Sequence, residues 1–198
     1  MPSEGRLEGN EKELGSLLKQ ELGRRKLKLS SVIEQSDIHI IAVPTLLTNQ
    51  KQPDISRVYQ VVEKILPVLR PHDLVIIEST CPIGTTEKIS HTMRTHTPLL
   101  HVAHCPERVL PGSVLNELIN NDRVIGGVDE TSTLIAEEFY ATFIKGNILK
   151  TTSRMAEAVK LAENSFRDVN IAFANELSML MDQFDLNTNE LIRLANRH

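Results

Sequence analysis

The chain has only two cysteines, Cys81 and Cys105, in 198 residues. Two thiols cannot build a disulfide framework, and such sparse use fits a reducing compartment. Blocks of like charge are missing too. No run of Lys or Arg exceeds a few residues and the formal net charge is -4, which argues against nucleic acid as a partner. No apolar run approaches the roughly 20 residues of a membrane span, and the opening MPSEGRLEGNEKEL lacks the apolar core of a signal peptide. No internal repeat or low-complexity tract is visible. What is present is ordinary for a globular protein. Apolar residues make up 40% and charged residues 24%, enough for one sizeable core or two small ones in a chain that reads as soluble and cytoplasmic.

Residues 1–10 are polar and rich in turn formers, and 11–24 suit a helix with Leu14, Leu17, Leu18 and Leu22 on one side. A short strand is expected at 27–29. From 37 the chain alternates. The run DIHIIAV at 37–43 reads as a buried parallel strand, followed by a polar loop and a helix over 55–69. DLVIIE at 73–78 is a second strand, with a helix running to about residue 95. Further strands are expected at 99–103, 123–125 and 148–150, with a helix over 131–143. Such alternation indicates an α/β sheet, in which ligands bind beyond the carboxyl ends of the strands. Pro44-Thr45, residues 79–86 and residues 105–109 therefore share one rim.

After Thr152 the pattern becomes purely helical, with a long helix over 154–183 and another over 188–196. The domain boundary falls at 151/152. Thr152 and Ser153 offer N-cap oxygens to the long helix, and Glu157 adds acidic charge to its first turns. Lys160, Asn164 and Arg167, spaced i, i+4, i+7, project from one face of it; a solvated face is the plain alternative to a site. The loop ESTCPIGTT at 78–86 offers hydroxyls and backbone N–H groups at a helix N-terminus, parts suited to a pyrophosphate or a polarised water. Helix capping by Thr85 or Thr86 explains it equally well. A zinc site from His101, His104 and Cys105 is a poor prospect, because strand alternation sends His104 to the opposite face and no fourth ligand is evident. No base accompanies Cys105, so it reads as a small buried residue rather than a nucleophile.

Four stretches, EST-x-P-x-GTTE at 78–87, CPERVLPG at 105–112, NDRVIGG at 121–127 and K-L-x-ENSFRDVNIAFANEL at 160–177, resemble the UDP-glucose/GDP-mannose dehydrogenase family. LIRLANRH at 191–198, and Pro111 where the glucose branch carries a second glutamate, are similar to its mannosamine-type branch. The resemblance implies an incomplete Rossmann-like parallel sheet (1–151) followed by the long central helix of an all-α dimerisation region (152–198). It implies two NAD-dependent oxidations of a UDP-sugar C6 alcohol, UDP-N-acetylmannosamine to the uronate, through an enzyme-bound thioester. Matched motif by motif, Thr45 and Thr80 would contact NAD, and Thr80 would help hold a catalytic water. Glu107 would be the catalytic-region glutamate, and Arg108 and Val109 would touch substrate. Lys160 would stabilise the developing oxyanion and Asn164 would anchor the sugar or its water. Arg167 would meet the nucleotide-sugar phosphate, and His198 would also contact substrate.

Two parts of the family pattern are not found in these 198 residues, the G-x-G-x-x-G turn after a first strand and the nucleophilic cysteine. The expectation is therefore a piece of such an enzyme, inactive by itself. Its 37–43 strand would sit at an exposed edge, with 27–29 sliding over to pair with it or failing to order. A rival reading is a non-catalytic homodimerisation module built on the long helix. Another is a β-hydroxyacid dehydrogenase, against which CPERVLPG and ANRH argue.

Overall fold

The computed structural model describes residues 12–110 and 112–197. Helix α1 (Lys12–Gly23) opens the chain and strand β1 (Ile38–Ile41) begins the sheet. A two-stranded antiparallel hairpin, β2 (Leu46–Leu47) and β3 (Pro53–Asp54), leads into α2 (Ser56–Ile65). Next come β4 (Leu74–Ile77), α3 (Thr85–His96), β5 (His101–His104), α4 (Val114–Asn120), β6 (Arg123–Gly127), α5 (Glu130–Ala141) and β7 (Ile148–Thr152). The helices α6 (Ser153–Gln183) and α7 (Thr188–Ala195) finish it. The hairpin and α4 were not anticipated from the sequence.

The five-stranded sheet has the order β1-β4-β5-β6-β7. Pairing is parallel throughout except between β5 and β6, where Ala103 faces Gly127 and His104 faces Gly126 in antiparallel register. Apolar layers cover both faces. Ile41, Val75, Ile77 and Val102 pack with Val58, Val62, Ile89 and Met93 of α2 and α3. Leu74, Ile76, Ala103, Cys105 and Ile125 pack with Ala136 and Tyr140 of α5. This is why LVII reads as a continuous apolar run: each alternate side chain meets a different core. The pair Gly126-Gly127 allows close approach, since a Cβ at Gly126 would lie 2.2 Å from the Thr152 carbonyl oxygen.

Residues 27–29 take no place in a ladder, and Leu29 is exposed. The expected strand is absent there, and β1 ends the sheet, with Ile40 exposed. The chain divides into two units, 1–158 and 159–198. The first turn of α6 belongs to the first unit because Ser153, Ala156 and Glu157 are buried there. Thr152 caps the helix as expected, accepting from the Met155 N–H at 3.3 Å. In the second unit, α7 starts at Asn187, whose side chain accepts from the Glu190 N–H at 3.0 Å.

Candidate functional site

The sheet's carboxyl rim carries the candidate residues of the first unit. The loops after β1 and β4 are stitched together by Ser79. Its hydroxyl accepts from the Val43 N–H at 2.8 Å and lies 2.9 Å from the Val43 carbonyl. Thr45 and Thr80, each half-buried, follow on the two stitched loops.

At the start of α3 the structure corrects the reading of Glu157 and decides what the loop's donors bind. Glu157 does not serve its own helix. It is fully buried, and its carboxylate accepts from the Gly84 N–H at 2.5 Å, the Thr86 N–H at 2.8 Å and the Thr86 hydroxyl at 2.6 Å. These donors, suited by sequence to a pyrophosphate or a polarised water and equally to helix capping, are thus taken by the protein's own anion. Gly84, with φ of 90°, has the left-handed backbone that aims them there. The Thr85 N–H and hydroxyl both turn back to the Pro82 carbonyl. The α3 N-terminus is an anion site already satisfied from within.

The reversal of β6 builds the second cluster. Extending the antiparallel register four residues beyond the Ala103–Gly127 pair brings Arg123 level with Glu107. Arg123 is buried and bonds Glu78, with its second nitrogen group 3.7 Å from Glu107. Its guanidinium lies 4.5 Å above the Tyr140 ring, and the Tyr140 hydroxyl donates to Glu78 at 2.7 Å. Burial opposes the Arg123 charge, but Tyr140, Glu78 and Glu107 outweigh it and lift the pKa above its ordinary value. The other oxygen of Glu107 accepts from the Arg108 and Val109 N–H groups at 2.5 and 2.6 Å. The Arg108 guanidinium in turn donates to the Asp122 carbonyl at 2.9 Å.

Neither cysteine is a nucleophile in this fold. Both are buried, and burial pushes each thiol up to about 12, so thiolate is negligible near neutrality. His104 is fully buried with neither ring nitrogen partnered, and burial pushes its pKa down to about 4. It lies on the face opposite Cys105. In the second unit, Lys160 and Asn164 are half-buried and Arg167 is exposed along one face of α6. His198 and Pro111 lie outside the described residues. Sequence reasoning missed Glu78, Arg123 and Tyr140 as a cluster. The available signal was an arginine opening the apolar strand RVIGG, a charge that burial forces into a pair.

Comparison with known proteins agrees with this architecture. Residues 3–144 match the UDP-glucose/GDP-mannose dehydrogenase family, NAD binding domain, and residues 154–198 match that family's central domain. The chain is 46% identical over 191 residues to a UDP-N-acetyl-D-mannosamine dehydrogenase of Methanocaldococcus jannaschii, covering 95% of the chain and 44% of the relative. It is 44% identical over 208 residues to an NDP-N-acetyl-D-galactosaminuronic acid dehydrogenase of Ralstonia nicotianae, covering 99% and 49%. The solved UDP-D-ManNAc dehydrogenase of Pyrococcus horikoshii superposes with a TM-score of 0.90 at 42% identity, covering 98% of this chain and 47% of that one. The chain thus spans about half the length of the relatives it matches. With both domain matches in chain order over most of its length, it belongs to the UDP-glucose/GDP-mannose dehydrogenase family.

Proposed function

We propose that the chain is part of a nucleotide-sugar 6-dehydrogenase that oxidises UDP-N-acetyl-D-mannosamine to the uronate with NAD. The observation that carries this reading is the placement of Lys160, Asn164 and Arg167 on one face of an unbroken 31-residue helix, in the part of the chain that matches the family's central domain. A lysine ammonium on a rigid helix is suited to stabilising an alkoxide or tetrahedral oxyanion. Asn164 anchors the sugar or its water, Arg167 meets the nucleotide phosphate, and His198 adds a substrate contact. Glu107, Arg108 and Val109 form the rim segment that meets the sugar, and Thr80 orients the catalytic water.

The residues present fit NAD at the carboxyl ends of β1 and β4, where Thr45 and Thr80 stand on loops joined by Ser79. These hydroxyls hold the cofactor, which supplies the hydride acceptor. The boundary between the NAD-binding and central parts is placed at 151/152. Neither thiol of this chain supports the covalent second oxidation, so the 198-residue chain by itself releases no uronate.

The test uses the native polypeptide from its own cells, identified with antibody against this region. NADH formation from UDP-N-acetylmannosamine, abolished to background by Lys160→Ala, is the expected result. Oxidation of 3-hydroxy acids, or of no UDP-sugar at all, overturns the reading. A second reading, a dimerisation module, is favoured by the apolar stripe of α6. Phe166, Val169, Phe173 and Leu180 are all exposed and, at about 100° per residue, lie on the side opposite Lys160. A second copy of this chain is the partner proposed for that stripe.

A further inference from the structure

The Glu78–Arg123–Tyr140 cluster is buried and charged, and it reaches the rim through Arg123, which lies 3.7 Å from Glu107 and 3.5 Å from the Cys105 carbonyl oxygen. Core stabilisation alone needs only the Glu78 pair and the Tyr140 ring. The second arm of the guanidinium reaches instead toward Glu107, whose side chain is 40% exposed while that of Arg123 is 5% exposed. A partly solvated carboxylate has many rotamers, and one fixed neighbouring cation selects among them. The rotamer observed leaves the other Glu107 oxygen on the N–H groups of Arg108 and Val109.

We infer that Arg123 is a positioning residue. From its anchor on Glu78 and Tyr140 it orients the Glu107 carboxylate, and Glu107 then pins the backbone of residues 107–109 at the rim. The inference rests on the proposed function only for the purpose of that segment, presentation of Glu107, Arg108 and Val109 to a nucleotide sugar. Its geometry is independent of that purpose. Other ties hold the same loop, among them Arg108 to the Asp122 carbonyl and the Leu110 N–H to Glu117 at 2.9 Å. Losing Arg123 therefore loosens the segment without freeing it altogether.

Trypsin reads this directly, because the bond after Arg108 lies inside the pinned segment. When opening is fast relative to cleavage, the rate of cutting follows the population of the open loop. Four chains are compared by mass spectrometry of the product ending at Arg108: wild type, Arg123→Gln, Glu107→Ala and the double variant. Cleavage is expected to rise about tenfold in each single variant, as Arg123→Gln removes the ion pair at 3.7 Å and Glu107→Ala removes the two backbone hydrogen bonds as well. The double variant should be no faster than Glu107→Ala, since Arg123 acts through Glu107. A purely structural arginine predicts multiplied effects, and that result overturns the inference. If Arg123→Gln does not fold, Glu107→Ala still decides. It leaves the Glu78 and Tyr140 contacts in place, and wild-type cleavage in it overturns the inference. Protection of the same bond by UDP-N-acetylmannosamine in the wild type is scored separately. Absence of protection counts against the proposed substrate and leaves the positioning result intact.

Discussion

His104 carries a pH dependence that only burial creates. Its pKa falls from 6.5 to about 4 on folding, so the unfolded chain binds its proton first. The stabilisation is complete above about pH 6.5 and is lost progressively as pH falls toward 4. At one unit per 1.36 kcal/mol, about 2 kcal/mol should disappear between pH 6.5 and about pH 5. His39 and His101, whose pKa values burial also lowers, add in the same direction. Urea unfolding at the two pH values checks this, and His104→Leu should flatten most of the difference. Glu157 is the other decisive single residue. Glu157→Gln keeps the shape but turns an amide toward three donors, and should cost about 3 kcal/mol in the same assay. The sequence showed an acidic residue near a helix start. It did not show which helix the residue serves, because the partners, Gly84 and Thr86, are more than 70 positions away.

Among the elements, the strands of the five-stranded sheet were legible as short runs flanked by turn residues, most of them apolar, and the long helix because nothing interrupts its periodicity. The direction of β6 was not legible. An apolar pattern is the same whichever way a strand runs, and that direction puts Arg123 beside Glu107. Residues 27–29 failed as a strand for the complementary reason, since a short apolar run needs a ladder neighbour. Two glycines test the packing of the elements. Gly126→Ala would force a methyl against the Thr152 carbonyl between β6 and β7, and should cost about 3 kcal/mol in urea unfolding. Gly15→Ala in α1, where an added Cβ meets nothing within 4 Å, should stabilise by about 0.5–1 kcal/mol.

For the whole molecule, the exposed stripe of α6 predicts self-association. Phe166 is 74% exposed and Phe173 62%, values that a lone helix in water does not sustain without a cost in solubility. Sedimentation velocity should show a dimer that grows with concentration, and Phe173→Glu should return the monomer. Incubated with NAD and UDP-N-acetylmannosamine, the 198-residue chain should release no uronate, as checked by mass spectrometry of the products. No described helix is long and apolar enough to cross a membrane.

The sequence by itself determined the alternation of strands and helices, the uninterrupted α6 and the motifs shared with the family at 78–87, 105–112, 121–127 and 160–177. These are local properties, carried by periodicity, turn chemistry and short runs of residues. The tertiary structure alone decided that Glu157 caps a distant helix and that the α3 N-terminus is closed to an outside anion. It also decided that Arg123, Glu78 and Tyr140 stand together behind Glu107. Those are pairings between residues 16 to 73 positions apart, and only the order and direction of the strands bring them within reach.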